Sequence, residues 1–111
     1  MNWNKLTDSG QLEEIKAMSF EKPVLIFKHS TRCSISSMSL DRLLRNWKPD
    51  DSDRVIPYYL DLISYRSISN QLEDFFGVPH ESPQVLLIKG GQSVYDESHY
   101  SISYSAIMEK I

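Results

Sequence analysis

Residues 24–37 decide the fold, and they read Val-Leu-Ile-Phe-Lys-His-Ser-Thr-Arg-Cys-Ser-Ile-Ser-Ser. The apolar run Val24–Phe27 follows a proline and is short and rich in aliphatic residues, which predicts a buried strand and not a helix. A polar loop comes next, and from Ile35 to Trp47 apolar residues recur at mostly helical spacing. The stretch therefore predicts a strand, a loop and a helix, with Cys33 where the helix begins.

The predicted ends of two further helices rest on capping residues. Asp8 and Ser9 are good N-cap residues for a first helix, which stops before the proline that precedes the strand. Asn70 and Glu73 have the spacing of a capping box, which predicts the start of a third helix, and Gly77 would end it. These signals place one helix before the first strand and another before the C-terminal part of the chain.

The remaining strands complete an alternating order. Val55–Leu60 predicts a strand, and Pro57 places it at or near a sheet edge because proline cannot donate a ladder hydrogen bond. The pair Gly90-Gly91 permits the positive φ angles of a tight hairpin turn. Hairpin strands are predicted at Gln84–Lys89 and Gln92–Tyr95 and a closing helix at Ser103–Ile111, with room for a further strand near Trp3. This order predicts an α/β fold, with a mixed sheet of four to five strands and helices on both faces.

The amino-acid composition limits the number of domains and the kinds of binding partner that we expect. The 111 residues are 24% charged and 41% hydrophobic and no linker divides them, so we expect a single domain over residues 1–111. The net charge of -3 argues against nucleic acid as a partner, because such binding rests on Lys and Arg. No apolar run approaches the roughly 20 residues that cross a membrane, and the N-terminus lacks a signal-peptide pattern. We therefore expect a cytoplasmic protein with no membrane partner.

Cys33 is the only cysteine, so it cannot form a disulfide within the chain. At a helix N-terminus, unpaired backbone N–H groups and the helix dipole favour the thiolate, which is the nucleophilic form. Arg32 precedes Cys33, and Lys28 and His29 lie shortly before, so we expect a positive local field. The alternative is a small buried apolar cysteine, but the polar neighbours argue against it. Cys33 is therefore the candidate nucleophile, and its partner sulfur must come from another molecule.

Two further sequence features concern this cysteine. Residues 33–36 read Cys-Ser-Ile-Ser, the spacing of a Cys-x-x-Cys motif in which Ser36 occupies the position of the absent resolving cysteine. Ser82-Pro83 lies just before the predicted hairpin, and this pattern resembles thioredoxin-fold proteins, in which a cis-proline there faces the active cysteine. That resemblance implies that the backbone of Ser82 pairs with a bound disulfide. The three histidines lack the paired spacing of a zinc motif, so we expect no metal site.

The stretches Phe27–Ser37 and Gly77–Gln84 together resemble the monothiol bacilliredoxins of the bacillithiol system, the YtxJ family, and the similarity runs over nearly the whole chain. That family has a thioredoxin-like fold and is associated with low-GC Gram-positive bacteria that use bacillithiol in place of glutathione. The resemblance implies a monothiol thiol-disulfide oxidoreductase acting on S-bacillithiolated or disulfide-bonded proteins. It also implies no bound cofactor, with bacillithiol as the thiol co-substrate.

The resemblance implies roles for individual residues. The Cys33 thiolate attacks the bacillithiol sulfur of a mixed disulfide, and Ser36, which cannot resolve the product, is a candidate hydrogen-bond donor to the thiolate. Because bacillithiol carries carboxylates, Arg32 is the first candidate for binding it, and His80 and Lys28 are weaker ones. The competing interpretation of all three is a solvated surface charge, or for His80 a loop residue hydrogen-bonded to backbone. The set of substrate-binding candidates is completed by Ser34, Ser82 and the cis Pro83.

Two other functions fit a one-cysteine protein of this fold. One is a glutaredoxin-like carrier of an iron–sulfur cluster, held between two protomers by an active-site cysteine from each. Such carriers usually show Cys-Gly-Phe-Ser, whereas Ser34 and Ile35 occupy the middle positions here. The other is a redox-silent binding module, in which the fold only supplies a docking surface. Anaerobic cluster reconstitution tests the first, and thiol transfer to Cys33 tests the second.

Overall fold

The computed structural model of the protein describes residues 3–111, and within them one mixed sheet is formed by five strands. These are β1 (Asn4–Lys5), β2 (Val24–His29), β3 (Ile56–Asp61), β4 (Gln84–Lys89) and β5 (Gln92–Ser98). The strand order is β1-β3-β2-β4-β5. β1 and β2 pair with β3 in parallel, whereas β4 pairs antiparallel with β2 and with β5. The predicted α/β fold with a mixed sheet is therefore confirmed.

Helices cover both faces of this sheet. They are α1 (Gln11–Met18), α2 (Ser34–Asn46), α3 (Asp51–Arg54), α4 (Arg66–Phe76) and α5 (Tyr104–Lys110), with a 3-10 turn at His99–Ser101. On one face, Ile26 of β2 belongs to an apolar cluster with side chains of α1 and α4. On the other face, Phe27 belongs to a cluster with side chains of α2 and α5. None of the helices within residues 3–111 is long and apolar enough to cross a lipid bilayer.

Every residue of β2 is buried, because β3 and β4 flank it and helices cover both faces. Successive side chains of a strand point to opposite faces, which is why Ile26 and Phe27 enter different clusters. Lys28 and His29 continue this alternation to the end of the strand, and both are buried. The strand therefore runs beyond Phe27, its predicted end, and carries a polar side chain to each face of the sheet just before the loop to Cys33.

The start of α1 differs from the sequence prediction. Its N-cap residue is Gly10, so neither Asp8 nor Ser9 caps the helix. The Asp8 carboxylate instead accepts a hydrogen bond from Gly10 N–H (3.1 Å) in the turn before the helix. The short polar side chain therefore stabilises the turn and not the first helical N–H groups.

The start of α4 also differs. The helix begins at Arg66, which places Asn70 inside it, so the predicted capping box is wrong. The Glu73 carboxylate instead accepts from the backbone N–H of His80 (2.8 Å) in the segment that follows the helix. Gly77 ends the helix in the left-handed conformation (φ 70°), as predicted.

The edges of the sheet agree with the proline and glycine signals. Pro57 lies in β3, which is second from one edge because only the two-residue β1 lies outside it. Gly90 and Gly91 adopt φ angles of 61° and 79° in the turn between β4 and β5. Both predictions are confirmed, and β5 extends past the predicted end to Ser98.

Candidate active site

Cys33 is the N-cap residue of α2, and its side chain is half-buried. Its backbone is extended (φ -110°, ψ 119°), its N–H donates to the Ser30 carbonyl (3.1 Å), and its own carbonyl accepts from Ser37 N–H (3.2 Å). The helix that follows is 13 residues long, so the positive end of its dipole lies at the thiol. Arg32 and Ser34 flank Cys33, and both are exposed. The thiol therefore has partial access to solvent and lies at the positive end of a helix dipole, two features that are typical of nucleophilic cysteines.

Ser36, at the position of a resolving cysteine, is fully buried. Its Oγ accepts from Ser30 N–H (3.0 Å) and lies 2.6 Å from Nδ1 of His29. Both contacts join α2 to the end of β2, so the hydroxyl fixes the loop between them. Ser36 therefore contacts His29 and Ser30, whereas the sequence analysis proposes it as a hydrogen-bond donor to the Cys33 thiolate.

His29 does not contribute the positive charge that the sequence suggested. Burial lowers its pKa below the usual 6.5, against the raising effect of Asp61 and Asp41, so the imidazole is neutral at pH 7. Its ring packs near Phe27 and Tyr59, with centroid separations of 6.2 and 5.7 Å. The prediction that His29 contributes to a positive field near Cys33 is therefore wrong.

Lys28 is also placed differently from expectation, because it is fully buried on the α4 side of the sheet. Its Nζ lies 3.2 Å from Nδ1 of His80, and Ser69 Oγ of α4 lies 3.3 Å from the same nitrogen. His80 itself is exposed in the segment between α4 and β4. The competing interpretation expects a loop residue hydrogen-bonded to backbone, whereas the contacts of the His80 ring are with two side chains.

The Ser82–Pro83 peptide bond is cis, which confirms the sequence prediction. Lys28 pairs with Gln84 across β2 and β4, so Pro83 lies beside the end of β2, where the loop to Cys33 departs. The Pro83 carbonyl accepts from His99 N–H (3.0 Å), and the His99 carbonyl accepts from Ser39 Oγ of α2 (3.1 Å). Two hydrogen bonds thus connect the cis-proline to the helix that begins at Cys33.

Ser82 is half-buried, but its Oγ is fully buried and has no hydrogen-bond partner within residues 3–111. Buried hydroxyl groups are normally hydrogen-bonded, so this one is an exception in the segment that precedes the cis-proline. The hydroxyl of Ser82 is therefore turned inward.

Sequence reasoning missed the role of His99 and the burial of Lys28. His99 contacts the cis-proline segment twice, because its Nε2 also lies 3.4 Å from Glu81 Oε2, and it has a positive φ of 55°. No sequence signal marks this residue. For Lys28 a signal existed, since it stands two residues after Ile26 and so shares the face of β2 that is buried against α4.

Over the part of the chain that the structure describes, no three His, Cys, Asp or Glu side chains group as a metal site would require. The functional candidates that the fold does bring together are Cys33, Arg32, Ser34 and Ser36 at the start of α2, with His80, Ser82 and Pro83 in the segment before β4.

The family model described as "Monothiol bacilliredoxin BrxC" matches residues 4–107. Among solved structures, one described as a candidate oxidoreductase with a thioredoxin fold is 28% identical, with a TM-score of 0.79, covering 95% of this chain and 89% of that one. Thioredoxin from Malassezia sympodialis is 17% identical, with a TM-score of 0.73 and coverage of 98% and 87%. Thioredoxin O2 from Arabidopsis thaliana is 14% identical, with a TM-score of 0.73 and coverage of 98% and 93%. The chain therefore belongs to the monothiol bacilliredoxin family and is a thiol-disulfide oxidoreductase with a thioredoxin fold.

Proposed function

We propose that this protein removes bacillithiol from S-bacillithiolated protein cysteines by thiol-disulfide exchange at Cys33. The observation that carries the proposal is the position of the chain's only thiol, half-buried at the N-terminus of α2, a helix whose Ser39 is joined through His99 to the cis-proline segment. Membership of the monothiol bacilliredoxin family supports the identity of the small thiol. We place the reaction in the cytoplasm of a bacillithiol-producing Gram-positive bacterium.

The exchange is a single displacement at sulfur. The Cys33 thiolate attacks the bacillithiol sulfur of a mixed disulfide, the bond between that sulfur and the protein sulfur breaks, and a Cys33–bacillithiol disulfide forms. The released protein thiolate takes a proton from water. The number of disulfide bonds is unchanged, so this step needs no electron donor.

A second thiol must return Cys33 to its reduced form, because Ser36 cannot attack a disulfide. We propose free bacillithiol or a cysteine of a partner protein as this thiol. It attacks the bacillithiol sulfur of the Cys33–bacillithiol disulfide and forms a new disulfide with it, so the Cys33 thiolate is released. The buried hydroxyl of Ser36, which bonds His29 and Ser30, keeps the loop before Cys33 in place through both steps.

Two parts of the site, the residues next to Cys33 and the segment at Ser82, suggest how the mixed disulfide binds. We propose that the backbone of Ser82 pairs with the extended chain of the protein substrate, since its side chain is turned inward. Arg32 and Ser34 lie on either side of the thiol, where a guanidinium and a hydroxyl can bind the carboxylates of bacillithiol. His80 supplies a further polar group at the opposite side of the site.

Intact-mass spectrometry tests the proposal directly. The purified protein is mixed with a model protein that carries one bacillithiol mixed disulfide, and the expected product is a bacillithiol adduct on Cys33 together with the free model protein. Cys33→Ser must abolish the adduct, and Ser105→Ala, an exposed serine on α5, serves as the matched control. Absence of any adduct at a pH that ionises ordinary thiols would contradict the proposal. A coloured dimer after anaerobic iron and sulfide reconstitution would favour cluster carriage instead.

A further inference from the structure

Lys28 is a charged residue that is completely buried near the end of β2, after four apolar residues, and the exchange steps at Cys33 do not use it. Its Nζ lies 3.2 Å from Nδ1 of His80. Ser69, which is also fully buried, places its Oγ 3.3 Å from the same nitrogen. Two buried donors from different elements therefore converge on one ring nitrogen of an exposed histidine.

The hydrogen-bonding capacities of these groups define the state of the imidazole. A lysine ammonium has donors and no acceptor, so Nδ1 of His80 accepts the hydrogen bond from Lys28. A neutral imidazole that accepts at Nδ1 carries its proton on Nε2. His80 Nε2 is not hydrogen-bonded to any group within residues 3–111, and the side chain is exposed. The ring therefore offers one N–H to solvent.

The charges around this pair keep the imidazole neutral. Partial desolvation of the ring, with the adjacent charges of Lys28 and Arg66, lowers the pKa of His80, whereas Glu73 and Glu81 raise it. Burial likewise lowers the pKa of Lys28 to about 8, and the same two carboxylates oppose the shift. At pH 7 most molecules thus combine a protonated lysine with a neutral histidine.

The backbone that carries His80 is fixed as well. Its N–H donates to Glu73 Oε1 of α4 (2.8 Å). The buried Gln84 donates from Nε2 to the Pro79 carbonyl (3.0 Å) and accepts from Glu81 N–H (3.4 Å). These bonds bracket His80 on both sides, so the orientation of its ring is set by the contact with Lys28 and Ser69.

We propose that Lys28 is a positioning residue of the thiol co-substrate site: it donates to Nδ1 of His80 and so presents His80 Nε2–H to a carboxylate of the co-substrate. This inference rests on the proposed function, which supplies a thiol that bears carboxylates. Lys28 touches neither reacting sulfur. It acts through His80, and it contributes to the selection of the mixed disulfide and not to the nucleophilicity of Cys33.

The functional test compares two mixed disulfides of one model peptide, one with bacillithiol and one with the uncharged 2-hydroxyethyl thiol. The ratio of their kcat/KM values for transfer to Cys33 reports carboxylate recognition, because effects on the thiol itself cancel. Lys28→Met and His80→Ala are each expected to lower this ratio about tenfold, as for loss of a hydrogen bond to a charged group. A ratio that stays at the wild-type value in both variants overturns the proposal.

A double variant separates positioning from a general structural effect. In His80→Gln the side-chain amide places an N–H near the position of Nε2 and needs no donor at Nδ1. Adding Lys28→Met to His80→Gln is therefore expected to leave the ratio unchanged. A further drop comparable to that of Lys28→Met alone would show that Lys28 does not act through His80. If Lys28→Met does not fold, the two His80 variants and the wild-type measurement below decide the matter.

NMR of the 15N-labelled protein tests the role of Lys28 independently of any substrate. At pH 7 the wild type is expected to show His80 with its proton on Nε2 and an unprotonated Nδ1, and Lys28→Met to show a mixture of tautomers. A wild-type His80 protonated on Nδ1 overturns the proposal. Absence of bacillithiol transfer in the wild type would instead overturn the proposed function, and with it the carboxylate as the ligand of His80.

Discussion

Ser36 Oγ lies 2.6 Å from Nδ1 of His29, and both side chains are buried, one in the first turn of α2 and the other at the end of β2. The same oxygen accepts a hydrogen bond from Ser30 N–H (3.0 Å). A serine at the position of a resolving cysteine thus ties the start of α2 to the end of β2. In this one-cysteine protein Ser36 therefore has a structural role in place of the redox role of a resolving cysteine.

Ser36→Ala tests this interpretation. The change leaves His29 Nδ1 and Ser30 N–H without their partner, so the free energy of unfolding is expected to fall by roughly 1–3 kcal/mol. Transfer of bacillithiol to Cys33 should persist at urea concentrations below the new unfolding transition. Urea denaturation measures the first effect and intact mass the second. Unchanged stability combined with lost transfer would show that Ser36 acts on the sulfur instead.

The titration of His29 and His80 predicts acid-sensitive stability. Both pKa values are lowered in the folded protein, so between the folded values and the unfolded value of about 6.5 the unfolded chain binds more protons. The stabilising effect is complete above pH 6.5 and is lost as the pH falls through the folded values. Urea midpoints of the wild type and His80→Gln, measured at intervals below pH 7.5, isolate one histidine because carboxylate effects cancel in the difference. A difference that does not change with pH would contradict the prediction.

Lys28→Met is expected to stabilise the protein at neutral pH, by roughly 1–3 kcal/mol, because a buried charge is replaced by an apolar side chain of similar size. The pKa of Lys28 is lowered to about 8, so the cost of its charge is present below pH 8 and is relieved between pH 8 and the unfolded value of 10.5. The stability advantage of the methionine variant should therefore shrink over this interval. Chemical denaturation of both proteins from pH 7 to 10 provides the measurement, and an advantage that grows with pH would be inconsistent with a buried ammonium.

Ser82→Ala separates the side chain of this residue from its backbone. The hydroxyl is buried without a partner within residues 3–111, so its removal is expected to leave the free energy of unfolding unchanged or to raise it by up to about 1 kcal/mol. Exchange with a protein mixed disulfide should stay within about twofold of wild type if the substrate pairs only with the backbone. Thermal unfolding and transfer kinetics check the two outcomes. A large loss of rate with full stability would assign a substrate contact to the hydroxyl.

Most of the fold could be predicted from the sequence because the patterns that indicate its elements depend on local periodicity. The apolar run at Val24–Phe27, the helical spacing that follows it and the Gly90-Gly91 turn each specify an element without reference to distant residues. The capping box failed for the opposite reason. Asn70 and Glu73 have the required spacing, but a favourable helix continues upstream to Arg66, and Glu73 finds its partner in the backbone of a later segment.

The chemistry of the site was predictable at Cys33 and less so around it. The position of the thiol follows from the junction of a strand and a helix, which the sequence shows directly. For Lys28 the alternation along β2 indicates the buried face, but its contacts, Ser69 and His80, lie in other elements. The contact of His29, Ser36, also lies in another element. Only the packed structure therefore reveals which groups these two side chains meet.

The sheet joins a parallel half, formed by β1, β3 and β2, to an antiparallel half, formed by β4 and β5, and the site lies on the boundary between them. Cys33 follows the last strand of the first half, and Pro83 precedes the first strand of the second. Neither half contains both the nucleophile and the segment proposed to align its substrate. The antiparallel pairing of β2 with β4 therefore holds the nucleophile beside that segment, and the complete site exists only where the two halves of the sheet meet.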